Sequence, residues 1–207
     1  HLSIKGVNSI SDRIIEKNAE DLAKYAKICQ QHGHVPIVEP EVLIDGTHSI
    51  EKSYEVTGKV LTEVFDALKK ENVMIKYTIL KPSMVISGKQ AENRASIDEV
   101  ARQTLKVLKA TVPEELAGIN FLSGGQTPEE ATAHLNRMHT LEENLPWYIG
   151  FSYARALQGP ALKAWHGKEE NLQAAQQVFL SRAKLNSLAT KGEYSEDMEK
   201  QEQIKEA

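Results

Sequence analysis

The chain has 207 residues, 41% hydrophobic and 26% charged, a length that suits one domain or part of a larger one and leaves room for a buried core. A net charge of −4 argues against nucleic acid as a bulk electrostatic partner, and no apolar run approaches the ~20 residues of a membrane helix. A single cysteine, Cys29, excludes an intramolecular disulfide framework and fits a reducing, cytoplasmic setting.

In chain order, His1-Leu2-Ser3-Ile4 lacks an initiator methionine and a signal-peptide pattern. It reads as the end of a strand already in progress, so an upstream half is expected. Ile15, Ala19, Leu22, Ala26 and Cys29 recur at helical spacing over 12–30. The short apolar run 35–42 predicts a strand, and a turn at Asp45-Gly46 precedes a helix over 49–72. Residues 78–85 predict the next strand, followed by a polar loop. Ser96-Ile97-Asp98-Glu99 has the pattern of a capping box and opens a helix that stops near Pro113. A strand over 118–123 leads to a second box, Thr127-Pro128-Glu129-Glu130, with proline at the first helical position. A strand over 149–153 and helices to about 190 follow. The dozen polar residues from Ser195 to Ala207 read as a mobile tail, leaving 1–194 as the folded unit.

Repeated βα units predict a parallel sheet with helical crossovers. A doubly wound sheet and a barrel both satisfy that pattern. The barrel explains more, because barrel enzymes draw catalytic groups from the C-terminal ends of several strands. Glu39, Lys81, Ser123 and Arg155 all fall at such ends. Full eight-unit barrels take roughly 250 residues, and about four units are legible, so the expectation is an α/β fold forming the second half of a (βα)8 TIM barrel.

Lys81 ends the apolar run Thr78-Ile79-Leu80, where a solvated cation has no structural purpose. A desolvated lysine loses its proton more readily, and the neutral amine can attack a ketone to form a Schiff base. The competing reading is a lysine that reaches out to solvent or pairs with an acid. Glu39 and Glu41 alternate about Pro40 and so share a face. They could move protons for the lysine or belong to a charge-balanced polar layer. Ser123-Gly124-Gly125 runs into the helix opened by Thr127, where close backbone amides and a helix N-terminus favour an anion. Arg155, one strand later, could grip a phosphate through two guanidinium N–H groups. The seven histidines match no zinc-ligand spacing, and the prediction is that they lie on the surface or in loops rather than on a metal. Trp147 and Trp165 are expected to pack in the core or between helices.

The segments Val-Pro-Ile-Val-Glu-Pro-Glu-Val (35–42), Leu-Lys-Pro-Ser-Met-Val (80–85), Phe-Leu-Ser-Gly-Gly (121–125) and Phe-Ser-Tyr-Ala-Arg-Ala-Leu-Gln (151–158) resemble, in order, class I fructose-bisphosphate aldolases. The resemblance extends through 23–30 and on to Gly192-Glu193-Tyr194. It implies that Lys81 is the Schiff-base lysine, Glu39 the acid/base residue and Glu41 its assistant. It also implies that Ser123, Gly124, Gly125, Ser152 and Arg155 hold a substrate phosphate. The family is a (βα)8 barrel, usually a cytosolic homotetramer, which cleaves a phosphorylated ketose in glycolysis with no metal and no cofactor. This chain departs from the pattern at Ser83, usually asparagine, and at Ala154, usually glycine. It also lacks a terminal tyrosine. The family's first-strand aspartate and its lysines on the third and fourth strands would lie upstream of His1, so these 207 residues alone are expected to be inactive. A non-catalytic, truncated binding protein is the alternative reading.

Overall fold

Parallel strands alternate with helices along the computed structural model, which describes residues 2–200 except Gly6 and Ser9. The strands are β1 (Leu2–Ile4), β2 (Ile37–Val38), β3 (Pro40–Val42), β4 (Ile79–Leu80), β5 (Gly118–Phe121) and β6 (Ile149–Phe151). The helices are α1 (Asp12–Gln31), α2 (Ile50–Lys70), α3 (Ile97–Thr111), α4 (Pro128–Leu141), α5 (Arg155–Trp165) and α6 (Leu172–Ala189). Every ladder is parallel: β1 pairs β3, and β2, β4, β5 and β6 follow in order. This is the α/β, partial-barrel architecture expected.

The strand expected over 35–42 is interrupted at Glu39, so its two halves pair on opposite sides, β3 with β1 and β2 with β4. Glu39 belongs to neither ladder, and Pro40, which has no N–H to give, opens β3 opposite Leu2. The two short sheets thus share one stretch of chain and form five adjacent strand positions. Side chains facing the helices are the core: Val38, Leu80, Ile119, Phe121 and Ile149 are buried beneath α1–α4. Full burial of each contributes roughly 1.5–3 kcal/mol. Leu61, Phe65 and Leu68 of α2, Leu108 of α3, and Leu135 and Met138 of α4 close on them.

The strands expected over 35–42, 78–85, 118–123 and 149–153 are all shorter than predicted. Residues 83–85, expected to continue β4, run without a ladder, and side-chain hydroxyls take up hydrogen bonds along this stretch and just beyond it. Ser83 Oγ accepts from Val42 N, Thr104 Oγ1 from Val85 N, Ser53 Oγ from Ile86 N and Ser87 Oγ from Ala95 N. The C-terminal tail is anchored at its start rather than mobile: Arg182 pairs with Glu199, Tyr194 donates to Glu199, and Met198 packs on the core. Residues 201–207 lie outside the described residues.

Consecutive strand ends are stitched into one rim. Lys81 N donates to Val38 O at 2.8 Å, Leu122 N to Pro82 O at 3.1 Å, and Ser152 N to Phe121 O at 2.9 Å. The residues just past β2, β4, β5 and β6 therefore stand side by side.

Candidate active site

Lys81 and Glu39 meet on that rim. Lys81 Nζ lies 3.0 Å from Glu39 Oε1, and the two side chains are 17% and 23% exposed. The pairing alternative is therefore realised, although it does not compete with the chemical one. A carboxylate within hydrogen-bond reach of a half-desolvated amine is the arrangement that proton exchange between them requires. The backbone break at Glu39 turns its side chain toward β4, where Lys81 begins.

Glu41 takes different partners. It is 6% exposed and accepts a hydrogen bond from Ser3 Oγ at 3.0 Å, its register partner on β1. Its Oε1 lies 3.7 Å from where a Cβ on Gly124 would stand, so it reaches under the loop that follows β5. That loop is a turn closed by Gln126 N donating to Ser123 O at 3.0 Å, with Gly124 at φ +56° and Gly125 at φ +83°. Side chains rarely adopt these angles, and a Cβ on Gly124 would come within 3.0 Å of Leu122 Cδ1. Among the described residues, the N–H groups of Ser123, Gly124 and Gly125 donate to no protein acceptor. Consecutive free amides beside a helix start form a concave anion seat. The helix is α4, whose complete capping box has Thr127 Oγ1 accepting from Glu130 N while Glu130 accepts from Thr127 N. Burial pushes the Glu130 carboxyl up, but the Thr127 N–H and the Arg94 guanidinium hold it below its ordinary range. Only the hydroxyl half of the box predicted at Ser96 forms, with Ser96 Oγ accepting from Glu99 N.

Ser152 and Arg155 are exposed beyond β6, at the neighbouring position on the rim. Among the described residues no acid pairs with Arg155, which opens α5 directly after Ala154. Lys89 escaped the sequence reading. Its Nζ stands 3.0 Å from the position of a Cβ on Gly125, a placement that a side chain there would obstruct.

The histidines are not all superficial, and this corrects the expectation. His32 and His34 are exposed, but His48 and His134 are buried. His139 is half-buried and donates to Ile149 O through Nε2 at 2.9 Å. Burial lowers the imidazole pKa of all three, that of His134 to about 4. The spacing of His134 with Ala131, Leu135 and Met138 on α4 was the available signal of a core-facing ring. Among the described residues, no group of three or more His, Cys, Asp and Glu side chains could hold a metal ion. Trp147 is in the core, its Nε1 donating to Pro113 O at 2.8 Å. Trp165 instead lines an exposed groove between α5 and α6.

Residues 2–207 match the family model described as "Glycolytic: Fructose-bisphosphate aldolase class-I". A protein of Xanthomonas axonopodis pv. citri named "Probable fructose-bisphosphate aldolase class 1" is 55% identical over 185 residues, 89% of this chain and 55% of its own. The fructose-bisphosphate aldolase of Dictyostelium discoideum is 48% identical over 91% of this chain and 52% of its own. Among solved structures, the fructose-bisphosphate aldolase of Plasmodium falciparum, crystallised with TRAP and a small-molecule inhibitor, superposes with a TM-score of 0.89. It is 46% identical over 94% of this chain and 56% of its own. The chain spans about half the length of the curated relatives it matches.

Proposed function

The chain belongs to the class-I fructose-bisphosphate aldolase family, and from that premise we propose that its rim serves reversible cleavage of fructose 1,6-bisphosphate to dihydroxyacetone phosphate and glyceraldehyde 3-phosphate. The observation that carries this reading is the Lys81–Glu39 pair at 3.0 Å, set on the same rim as the three free amides of Ser123, Gly124 and Gly125. Glu39 takes a proton from the Lys81 ammonium, and the neutral amine adds to the ketone carbon C2. The protonated Glu39 then gives its proton to the carbinolamine hydroxyl, which leaves as water and forms the iminium. The C3–C4 bonding pair flows to the iminium nitrogen, making an enamine. The C4 hydroxyl becomes the aldehyde as its proton passes to Glu39. Protonation at C3 and hydrolysis of the imine release the second triose phosphate and restore Lys81. Glu41, beneath Gly124, assists by shaping the floor of the anion seat. Ser123, Gly124, Gly125, Ser152 and Arg155 hold one phosphate.

Borohydride reduction in the presence of dihydroxyacetone phosphate should fix a three-carbon adduct on Lys81, located by peptide mapping. An adduct on another lysine, or none, overturns the assignment. The proposed setting is a cytoplasmic homo-oligomer, in keeping with the free Cys29 and the family resemblance. A non-catalytic binding role is favoured only by the exposed apolar face of α5 and α6. Cleavage activity in the full-length protein excludes it.

A further inference from the structure

Gln126 is buried just after the double-glycine turn, and every polar atom of its side chain is engaged. Its backbone N–H and its Nε2 both donate to the Ser123 carbonyl, each at 3.0 Å. Its Oε1 meets His134 Nδ1 at 2.7 Å. A carbonyl only accepts, so Nε2 faces Ser123, Oε1 faces His134, and His134 carries its proton on Nδ1. His134 reaches this point from the first half of α4, two turns beyond the cap.

We propose that Gln126 and His134 are positioning residues that hold the Ser123–Gly124 peptide with its N–H toward the anion. A trans peptide is planar, and its C=O and N–H point to opposite sides. Two donors from Gln126 pin the Ser123 carbonyl, and this fixes the Gly124 N–H in the opposite direction. The lock matters because two successive glycines leave the peptide plane free to rotate at little steric cost. His134 in turn fixes the Gln126 amide, which could otherwise rotate and present its oxygen to the Ser123 carbonyl. The anion is a phosphate monoester of the substrate or inorganic phosphate, and the inference rests on reading this turn as a phosphate seat.

The test uses the full-length protein, with inorganic phosphate as competitive inhibitor beside fructose 1,6-bisphosphate. Gln126→Glu keeps the acceptor for His134 and removes the donor to Ser123. It should raise KM for the bisphosphate and Ki for phosphate about five- to tenfold, the range for losing one buried hydrogen bond. Its kcat should stay within about threefold, since the lock acts on binding rather than on the reacting carbons. His134→Leu should act in the same direction. His134→Asn should restore nearly normal values, because the Asn amide nitrogen stands where Nδ1 stood. Borohydride trapping on Lys81 at saturating dihydroxyacetone phosphate should be unchanged in all three, which separates a lost lock from a lost fold. Wild-type KM and Ki in Gln126→Glu, or His134→Asn no better than His134→Leu, overturn the positioning role while leaving the aldolase reading intact. A wild-type protein with neither cleavage nor phosphate inhibition removes both.

Discussion

The two cations on the rim are differently occupied. Lys81 has its carboxylate at 3.0 Å, whereas Arg155 is exposed with no acidic partner among the described residues. An unpaired guanidinium on the same rim as three free amides is available to an incoming anion. Arg155→Ala should therefore raise KM for the bisphosphate about tenfold to hundredfold, the equivalent of a charge-assisted bond of roughly 1.5–3 kcal/mol. An equal loss on an unphosphorylated ketose would make Arg155 structural instead. Burial at His134 has a consequence of its own for acid stability. Its folded pKa of about 4 lies below the ordinary histidine value of 6.5, so the unfolded chain binds the proton first as pH falls. Its contribution is fully present above pH 6.5 and is lost progressively as pH falls toward about 4. Glu130 on α4, which favours the charged ring, and Arg94 in the loop before α3, which opposes it, act on the imidazole. Urea midpoints taken from pH 7.5 to 4.5 should fall, and His134→Asn should flatten the decline. A midpoint independent of pH across this window would remove His134 from the account. Lys81 was legible in the sequence because an ion at the end of an apolar run has few reasons to be there. Gln126 was not, because a glutamine after two glycines reads as an ordinary turn residue until its buried partners are seen.

The helices were readable almost to their ends because apolar spacing and caps are local signals. Thr127-Pro128-Glu129-Glu130 announced α4, and the complete box is there. The strands were overextended because pairing is not local. Nothing within 78–85 reveals that hydroxyls on α2 and α3, at Ser53 and Thr104, will take the amides of Ile86 and Val85. The break at Pro40 was visible as a residue, but its effect, sending the two halves to different neighbours, depends on β1 and β4. The cap of α4 also bears on the proposed anion seat, since Thr127 is the residue after Gln126. Thr127→Ala should lower stability by about 1 kcal/mol, a typical loss for a cap. It should also raise KM for the bisphosphate, because the first turn of α4 anchors the end of the seat. Thermal unfolding and steady-state kinetics on the same variant check both parts. A normal melting temperature would mean that Glu130 alone sustains the helix start.

At the scale of the whole chain, two edges and one face stand open. Among the described residues β1 and β6 each have a single ladder neighbour, so each presents an unpaired row of backbone groups. Between α5 and α6 lies a groove of about 600 Å³ lined by Leu162, Trp165, Leu172, Phe179 and Leu180. Leu162 and Leu180 are 59% and 58% exposed. Contiguous apolar surface of this kind and open strand edges both drive association. The half-barrel was legible from the count of βα units, but the groove was not, because the apolar pattern of α5 and α6 reads like any core-facing pattern. We expect the 207-residue chain by itself to sediment as dimers or larger species, with Leu162→Lys and Leu180→Glu shifting it toward monomer. A partner that paired with these edges would compete with self-association. No measurable cleavage is expected from these 207 residues by themselves, because the family resemblance implies an aspartate and two lysines that they do not supply, even where Lys81 still forms an imine. A stable monomer with a normal turnover rate would refute the half-barrel account at both points, since it would mean that open edges are tolerated and that the rim from Glu39 to Arg155 is sufficient for chemistry.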